Sequence, residues 1–158
     1  MKRLLSLAIL MGLANGASAY DLVWPVSGRV SCTWRYSSGA FHGAVDIAGP
    51  VWSSVGAARY GRVIVASYGW NGGYGNYVRI SHGNGWTTDY HHFIRIATNY
   101  GRYVSRLQTI GYRGTTGMSS GYHTHFDLRR WGSKTYMPAY RGQYVYKGRG
   151  VPKDYPGL

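Results

Sequence analysis

The sequence contains no glutamate, and its five acidic residues are all aspartate, against 18 lysines and arginines in 158 residues. This scarcity excludes two common kinds of hydrolase in their usual form. Glycosidases generally place a pair of Asp or Glu carboxylates around the scissile bond, and thermolysin-type peptidases need a Glu beside two helical histidines. A hydrolase built from this sequence therefore needs other groups for acid–base chemistry.

Cysteine is almost absent as well, since Cys32 is the only one in the chain. No internal disulfide can therefore form. We interpret Cys32 as a small buried residue, and an intermolecular disulfide is the alternative.

Long apolar runs are missing except at residues 4–13, which follow two basic residues. That run is shorter than the roughly 20 residues that a membrane-spanning helix requires. Together with the small residues at 17–19, it has the pattern of a signal peptide cleaved before Tyr20, and a buried helix is the alternative. We therefore predict a signal peptide over residues 1–19. The protein is expected to be secreted, or periplasmic in a Gram-negative bacterium, and not to span a membrane.

Residues 20–158 are enough for one domain that buries roughly two thirds of its unfolded surface. We predict a single domain and a monomer, with a core over about 34–140 and a basic tail over 141–158 that is either extended or docked. The net charge of the whole chain is +13. Such a charge suits polyanions, among which are cell-wall polymers, anionic lipid surfaces and extracellular nucleic acid.

Glycine and aromatic residues are abundant, with 24 Gly, 16 Tyr and 6 Trp. Glycine weakens helices and aromatic residues favour strands, and no window keeps an apolar period of 3.6 beyond about two turns. We therefore predict a mainly β, single-domain antiparallel sheet. Glycine-bounded apolar runs place strands at 63–68, 77–80, 86–93, 102–108, 109–113 and 123–129. Asn84-Gly85 predicts a type I′ hairpin turn, which needs positive φ at both central positions.

Six histidines are present, and five of them form three small groups: His42 with Asp46, His91-His92, and His123-Thr124-His125. Residues two or four apart in a strand share a face, so both members of the first and third groups can reach one metal ion. Two His and one Asp match a catalytic zinc site, in which a fourth position stays open for water. Two further histidines can move protons in place of the missing Glu. The sixth, His82, is placed in a Gly-Asn-Gly turn and is predicted only to decorate it.

Three segments resemble the lysostaphin/LytM-type zinc endopeptidases: FHGAVDIAGPV, GWNGGYGNYVRISHGNGWTTDYHHF and IGYRGTTGMSSGYHTHFDLR. They occur in the order and at the separations typical of that family, and the resemblance covers about residues 34–140. It implies an antiparallel β-sheet domain with a groove lined by loops, a Zn²⁺ cofactor and cleavage of peptide bonds in bacterial peptidoglycan.

The resemblance also implies roles for six residues at matching positions. The metal ligands of the family correspond to His42, Asp46 and His125, and its two catalytic histidines correspond to His92 and His123. His92 is assigned rather than His91 because the family motif reads Tyr-x-His. Some members have a tyrosine that stabilises the tetrahedral intermediate, and its position corresponds to Tyr36.

The chain departs from the family pattern at three positions. Gly43 directly follows the first ligand, where the family usually has its glycine one residue later. Thr124 replaces the commoner Leu, and Asp127 stands where Glu is frequent. These departures concern loop shape and substrate fit, because none of them removes a metal ligand or a catalytic histidine.

Two other functions remain open on the sequence. One is a non-catalytic cationic protein that binds peptidoglycan without cutting it. The other is a basic module for nucleic acid or anionic membranes, in which arginine and aromatic residues make the contacts. The signal peptide and the histidine groups favour the endopeptidase, with peptidoglycan and not nucleic acid as its partner.

Overall fold

The computed structural model describes residues 20–158, so the predicted signal peptide lies outside the described residues. Eleven strands form one sheet, and every strand pair is antiparallel. The strands are β1 (Gly28–Cys32), β2 (Val45–Ala48), β3 (Ser54–Gly56), β4 (Gly61–Ser67), β5 (Asn76–Gly83), β6 (Trp86–Ile96), β7 (Tyr103–Val104), β8 (Thr109–Arg113), β9 (His123–Arg130), β10 (Ser133–Thr135) and β11 (Tyr144–Val145). A single 3-10 turn at Asn71–Gly73 is the one helical element that these residues form. Over the same described stretch, no helix has the length and apolar character needed to span a membrane.

The strands follow the spatial order β11-β1-β2-β9-β6-β5-β4-β7, while β10 pairs with β9, and β8 pairs with both β3 and β6. This architecture confirms the predicted mainly β, antiparallel fold. The Asn84-Gly85 turn has φ values of 49° and 77°, so the predicted requirement for two positive φ angles is met.

The core lies on one face of the central strands. In β9, Thr124, Phe126 and Leu128 are fully buried, and the residues between them point to the opposite face because side chains alternate along a strand. The core also takes up Leu22, near the start of the described residues, and Tyr155, near their end. It therefore reaches beyond residues 34–140.

Residues 141–158 are docked on the sheet through β11, which pairs with β1. Val145 and Val151 of this segment are at most 2% exposed. The segment thus contributes apolar side chains to the core although its sequence is polar and basic.

The predicted strand over 102–108 is wrong in extent, because only Tyr103–Val104 pairs with a neighbour. The chain turns immediately afterwards: the Gln108 N–H donates to the Ser105 carbonyl, and Leu107 has a φ of 66°. Leu107, in the left-handed region, interrupts the extended backbone, and the apolar pattern of the sequence does not predict this.

Candidate metal centre

Three adjacent strands carry one row of functional side chains across the face of the sheet opposite the core. Asp46 of β2 pairs directly with His125 of β9, and His125 pairs with His91 of β6. In β2 the apolar neighbours Val45 and Ile47 are buried, so alternation directs the Asp46 carboxylate to the face that His125 occupies.

His42, Asp46 and His125 bring three potential ligand atoms together. His42 Nε2 lies 3.3 Å from Asp46 Oδ1, and His125 Nδ1 lies 2.9 Å from the same oxygen. The two imidazole nitrogens are 3.1 Å apart. His42 Nδ1 is 2.6 Å from the Thr33 carbonyl; since that oxygen can only accept, Nδ1 carries the proton and Nε2 is left with its lone pair.

The position of His42 differs from the extended segment that the sequence predicted. The strand begins only at Val45, and Gly43 has a φ of 70°, which interrupts the extended backbone. The His42 and Gly43 N–H groups both donate to the Trp34 carbonyl. A loop folded back on Trp34, rather than strand periodicity, therefore places His42 beside Asp46.

The three residues fit a zinc ion. Asp46 Oδ1 is buried and accepts no hydrogen bond from the described residues, an arrangement that is costly without a cation to compensate it. Burial opposes ionisation of Asp46, but His125 and His42 outweigh it and hold the pKa of that carboxyl well below its usual range. Two imidazole nitrogens and a carboxylate oxygen are a donor set that zinc favours.

His92 and His123 face each other beside these ligand atoms. Their ring centroids are 4.6 Å apart, and His123 Nε2 lies 3.8 Å from Asp46 Oδ1. His92 Nδ1 is 2.7 Å from the Thr116 carbonyl, and His123 Nδ1 is 2.9 Å from the Gly121 carbonyl. Both rings therefore donate from Nδ1 and keep Nε2 as a proton acceptor. Burial, and then the neighbouring His123, lower the pKa of His92 to about 4, so His92 is neutral at pH 7.

A β-bulge in β6 explains how two consecutive histidines serve one site. Between two ladder pairs, β6 has one residue more than β5. His92 has a φ of 66°, which is uncommon for a residue other than glycine, and its N–H donates to the Tyr74 carbonyl at 3.0 Å. Bulges re-aim side chains, and this one places the rings of both His91 and His92 next to His125.

A buried layer of charged groups lies behind the metal centre, and it was not predicted from the sequence. His125 Nε2 lies 3.4 Å from Asp127 Oδ2. Burial lowers the pKa of His125, but Asp127 and Asp46 outweigh it and leave the pKa raised. Asp127 in turn accepts hydrogen bonds from Arg129 and Lys134. Strand alternation gave the missed signal, since residues 123, 125, 127 and 129 share one face of β9.

His91 belongs to this layer and was not assigned a role. It is 2% exposed, and its ring stacks on His125 with centroids 4.5 Å apart and planes 9° from parallel. His91 Nε2 lies 3.6 Å from Asp89, whose carboxylate accepts two hydrogen bonds from Arg79. The layer fixes the ring plane of a proposed ligand from behind, as outer partners of metal-bound histidines commonly do.

Tyr36 and Cys32 both lie close to His42, Tyr36 on the solvent-exposed side and Cys32 buried. The Tyr36 ring centroid is 4.6 Å from that of His42, and the side chain is 48% exposed at a pocket that His92 and Met118 also line. Burial, followed by Asp46, raises the pKa of Tyr36, so its hydroxyl keeps its proton. Cys32 is 8% exposed, which confirms its predicted burial.

Comparison with known proteins identifies the family. The model of peptidase family M23 matches residues 40–138, a range that includes every proposed ligand and both proposed catalytic histidines. The chain therefore belongs to peptidase family M23, in agreement with the resemblance to lysostaphin/LytM-type enzymes.

Among curated relatives, peptidoglycan DD-endopeptidase ShyA of Vibrio cholerae is 36% identical in an alignment of 113 residues that covers 63% of this chain and 26% of ShyA. Murein hydrolase activator NlpD of Escherichia coli is 34% identical over 106 residues, which are 67% of this chain and 27% of NlpD. The chain thus spans about a quarter of the length of these relatives.

Solved structures show the same fold. A zinc-containing peptidase from Vibrio cholerae superposes with a TM-score of 0.66 and 26% identity, over 73% of this chain and 38% of that one. The catalytic domain of lysostaphin from Staphylococcus simulans gives a TM-score of 0.57 and 24% identity, over 71% of this chain and 83% of that one.

Proposed function

We propose that the chain is an exported zinc metalloendopeptidase that hydrolyses peptide bonds in the cross-links or stem peptides of bacterial peptidoglycan. The observation that carries this proposal is the convergence of His42 Nε2 and His125 Nδ1 within 3.3 Å of Asp46 Oδ1, with His92 and His123 facing them. ShyA is a peptidoglycan DD-endopeptidase, which supports peptidoglycan as the substrate.

In this proposal, His42, Asp46 and His125 hold the zinc ion. When bound, zinc supplies Lewis-acid chemistry, because it polarises a carbonyl oxygen and lowers the pKa of a coordinated water. The chain itself supplies the proton transfers. His92 and His123, each fixed by a backbone carbonyl at Nδ1, present Nε2 atoms that accept a proton from water and return it to the leaving amine. The Tyr36 hydroxyl donates a hydrogen bond to the developing oxyanion.

The test is mass spectrometry of two purified peptidoglycans, one glycine-bridged and one directly cross-linked, after incubation with the zinc-loaded protein. Parallel samples contain a zinc chelator or the His123→Ala variant, which removes a proposed catalytic histidine and no proposed ligand. New amine-terminated peptides that disappear in both controls are expected. Cleavage that persists in both controls, or no cleavage of either polymer by the zinc-loaded wild type, would contradict the proposal.

The similarity to NlpD favours one second candidate, a protein that binds peptidoglycan and activates a hydrolase without cutting the polymer itself. NlpD is a murein hydrolase activator, and the net charge of +13 suits an anionic wall in either case. One experiment distinguishes an endopeptidase from an activator. An activator sediments with peptidoglycan and raises the activity of an added hydrolase, and its His123→Ala variant does so equally well.

For the biological setting, we propose a single monomeric domain over residues 20–158, exported by the segment 1–19 and active against bacterial cell walls. Mass spectrometry of the protein recovered outside the producing cell tests the export step. A mature chain that begins at Tyr20 is expected, whereas retention of residues 1–19 would contradict cleavage at that point.

A further inference from the structure

A second cavity, of about 310 Å³, lies apart from the metal centre and shares no lining residue with the pocket there. Its lining includes Ser27, Ser53, Ser54 and Lys147, and no acidic residue. Polar groups of this kind, without a carboxylate among them, favour an anionic ligand over a cationic one.

Lys147 reaches this cavity without an acidic partner. Its Nζ donates to the Ser54 hydroxyl at 3.0 Å and to the Ser54 carbonyl at 3.1 Å. Among residues 20–158, no carboxylate oxygen lies within 4.0 Å of Lys147 Nζ. Burial lowers the pKa of Lys147, as it does for an amine that lacks a compensating charge.

Arg113 provides a second charge directly behind the same wall. Its side chain is fully buried, with Nη1 3.3 Å from the Ser53 hydroxyl and Nη2 2.7 Å from the Ser27 carbonyl. Its Nε has no hydrogen-bond partner among the described residues, and no carboxylate of theirs pairs with it. Burial lowers the pKa of Arg113 to about 10, so it remains charged at pH 7.

The contrast with other partly buried arginines is informative. Arg79 and Arg129 both reach Asp carboxylates, whereas the most deeply buried arginine reaches none. A buried cation left without an anion is strongly destabilising, so the charge of Arg113 calls for a compensating group.

Two hydroxyl groups at the cavity, those of Ser27 and Ser54, can donate hydrogen bonds to an anionic group that compensates Arg113. Ser27 Oγ accepts the Lys147 backbone N–H, and Ser54 Oγ accepts Lys147 Nζ. Neither hydroxyl donates to another of the described residues, so both O–H groups are available. Arginine, lysine and hydroxyl donors together form the usual environment of phosphate and carboxylate oxygens.

We infer that this cavity is a binding site for a small oxyanion, a phosphate or carboxylate group, which Lys147 Nζ and the hydroxyls of Ser27 and Ser54 hold while Arg113 compensates its charge. The site does not depend on the proposed function, since none of these residues belongs to the metal centre.

Calorimetric titration of the metal-free protein with inorganic phosphate, at constant ionic strength, tests this inference. Removal of the metal prevents phosphate from binding at the zinc ligands, and amide NMR shifts locate the bound ion. Saturable binding with shifts at Ser53, Ser54 and Lys147 is expected. An absence of saturable binding, or shifts confined to the histidine cluster, would overturn the inference.

Three variants sharpen the test, each checked for folding by its thermal midpoint. Lys147→Gln is expected to weaken phosphate binding about tenfold, because it removes a charged donor. Ser54→Ala, which changes no charge, is expected to weaken it about threefold. Lys153→Gln, an equal change of charge at an exposed lysine, should leave the affinity within about twofold. Equal weakening by Lys147→Gln and Lys153→Gln would show only a general charge effect and overturn the site.

Displacement of phosphate distinguishes the two sources of the oxyanion. An acetylated dipeptide with a free carboxylate should displace phosphate, and its amide should not, if the ligand is a peptide carboxylate. Glycerol phosphodiester should displace it instead if the ligand is a wall phosphodiester. Displacement by neither compound would contradict a site for either group.

Discussion

The imidazoles of the metal centre are oriented by two different kinds of partner. His42, His92 and His123 each direct Nδ1 to a backbone carbonyl, so that Nε2 is the nitrogen without the proton. His125 is reversed, with Nε2 toward the Asp127 carboxylate and Nδ1 toward Asp46. A hydrogen bond at one ring nitrogen fixes the tautomer and so selects the nitrogen that binds metal or accepts a proton. A side-chain carboxylate, unlike a carbonyl, also adds negative charge to its ring.

The charge of Asp127 predicts how zinc affinity depends on pH. Protons compete with zinc for imidazole, and Asp127 and Asp46 raise the pKa of His125 despite its burial. Zinc affinity should therefore begin to fall at a pH above the ordinary imidazole value of about 6.5, by about tenfold per pH unit for one displaced proton. Asp127→Asn should move this onset to lower pH. Competition with a chromophoric chelator between about pH 5.5 and 8 measures it, and an unmoved onset would contradict the role of Asp127.

His82 has a structural role that its sequence position did not predict. It lies in β5 rather than in the turn, where Nδ1 donates to the Tyr60 carbonyl and Nε2 accepts the Thr88 hydroxyl proton. Thr88 Oγ1 then accepts from the Tyr90 hydroxyl, which itself accepts the Ala58 N–H. A proton on Nε2 would remove this acceptor, so the Thr88 and Tyr90 hydroxyls would have to reorient.

We expect the free energy of unfolding to depend on the protonation of His82. Burial is the main cause that lowers the pKa of His82 to about 4, whereas the unfolded chain has about 6.5. The unfolded state therefore binds the extra proton first, and stability is lost as pH falls from about 6.5 toward 4. In His82→Asn, the denaturant midpoint of the metal-free protein should decline less steeply over that range. Parallel declines in the two proteins would rule out this role.

At the scale of elements, two loops position His92 through glycines that allow close backbone contact. Gly75, at a φ of 65°, would place a Cβ 2.4 Å from the Thr116 carbonyl oxygen. The same oxygen lies 2.7 Å from His92 Nδ1. The 3-10 loop and the loop before β9 therefore fix the ring of a proposed catalytic residue.

Gly75→Ala is accordingly expected to lower peptidoglycan hydrolysis by at least about tenfold, because about an ångström of misplacement has effects of that order or larger. Zinc affinity should stay unchanged, since no proposed ligand touches this loop. Gly72→Ala is the matched control, because Gly72 also has a positive φ, of 64°, but no atom within 4 Å of its Cβ position. The hydrolysis rates of the two variants are compared on one peptidoglycan substrate. An equal loss of rate in both would indicate backbone strain alone.

The sequence predicted strands and turns correctly where glycine-bounded apolar runs or characteristic turn residues determine them. The hairpin at Asn84-Gly85 and the antiparallel sheet followed from turn residues and from glycine-bounded apolar runs. The bulge at His91-His92 did not, because an extra residue in one strand shows only in the pairing with its neighbour. The loop that returns His42 to Asp46 depends on hydrogen bonds to the Trp34 backbone carbonyl, a contact that no side-chain pattern indicates.

At the scale of the whole molecule, the docked segment 141–158 makes a testable contribution to stability. Tyr155 is 2% exposed, packs against Trp86 with ring centroids 5.8 Å apart, and donates its hydroxyl to the Tyr136 carbonyl. Its role could not be predicted from the sequence, since a Pro-Gly-rich, basic neighbourhood resembles an exposed tail.

Tyr155→Ala should lower the free energy of unfolding by about 3–5 kcal/mol, the range for removing a large buried aromatic side chain. Tyr146→Ala, at a position that is 60% exposed, is the control and should change it by less than about 0.5 kcal/mol. Urea unfolding followed by tryptophan fluorescence measures both. Comparable losses in the two variants would contradict the assignment of the segment to the core.

The pairing of β1 with β11 also has a consequence for the order of folding. The two ends of the described chain are joined along their length: Val23 bridges Gly150, and the Trp24 N–H donates to the Arg149 carbonyl. Strand β1 can pair with β2 early, but its other neighbour, β11, is synthesised more than a hundred residues later. Contacts this distant in sequence slow folding to the millisecond-to-second range. The edge of β1 that faces β11 therefore stays unpaired until residues 144–145 have been synthesised, whatever the rest of the sheet has already done.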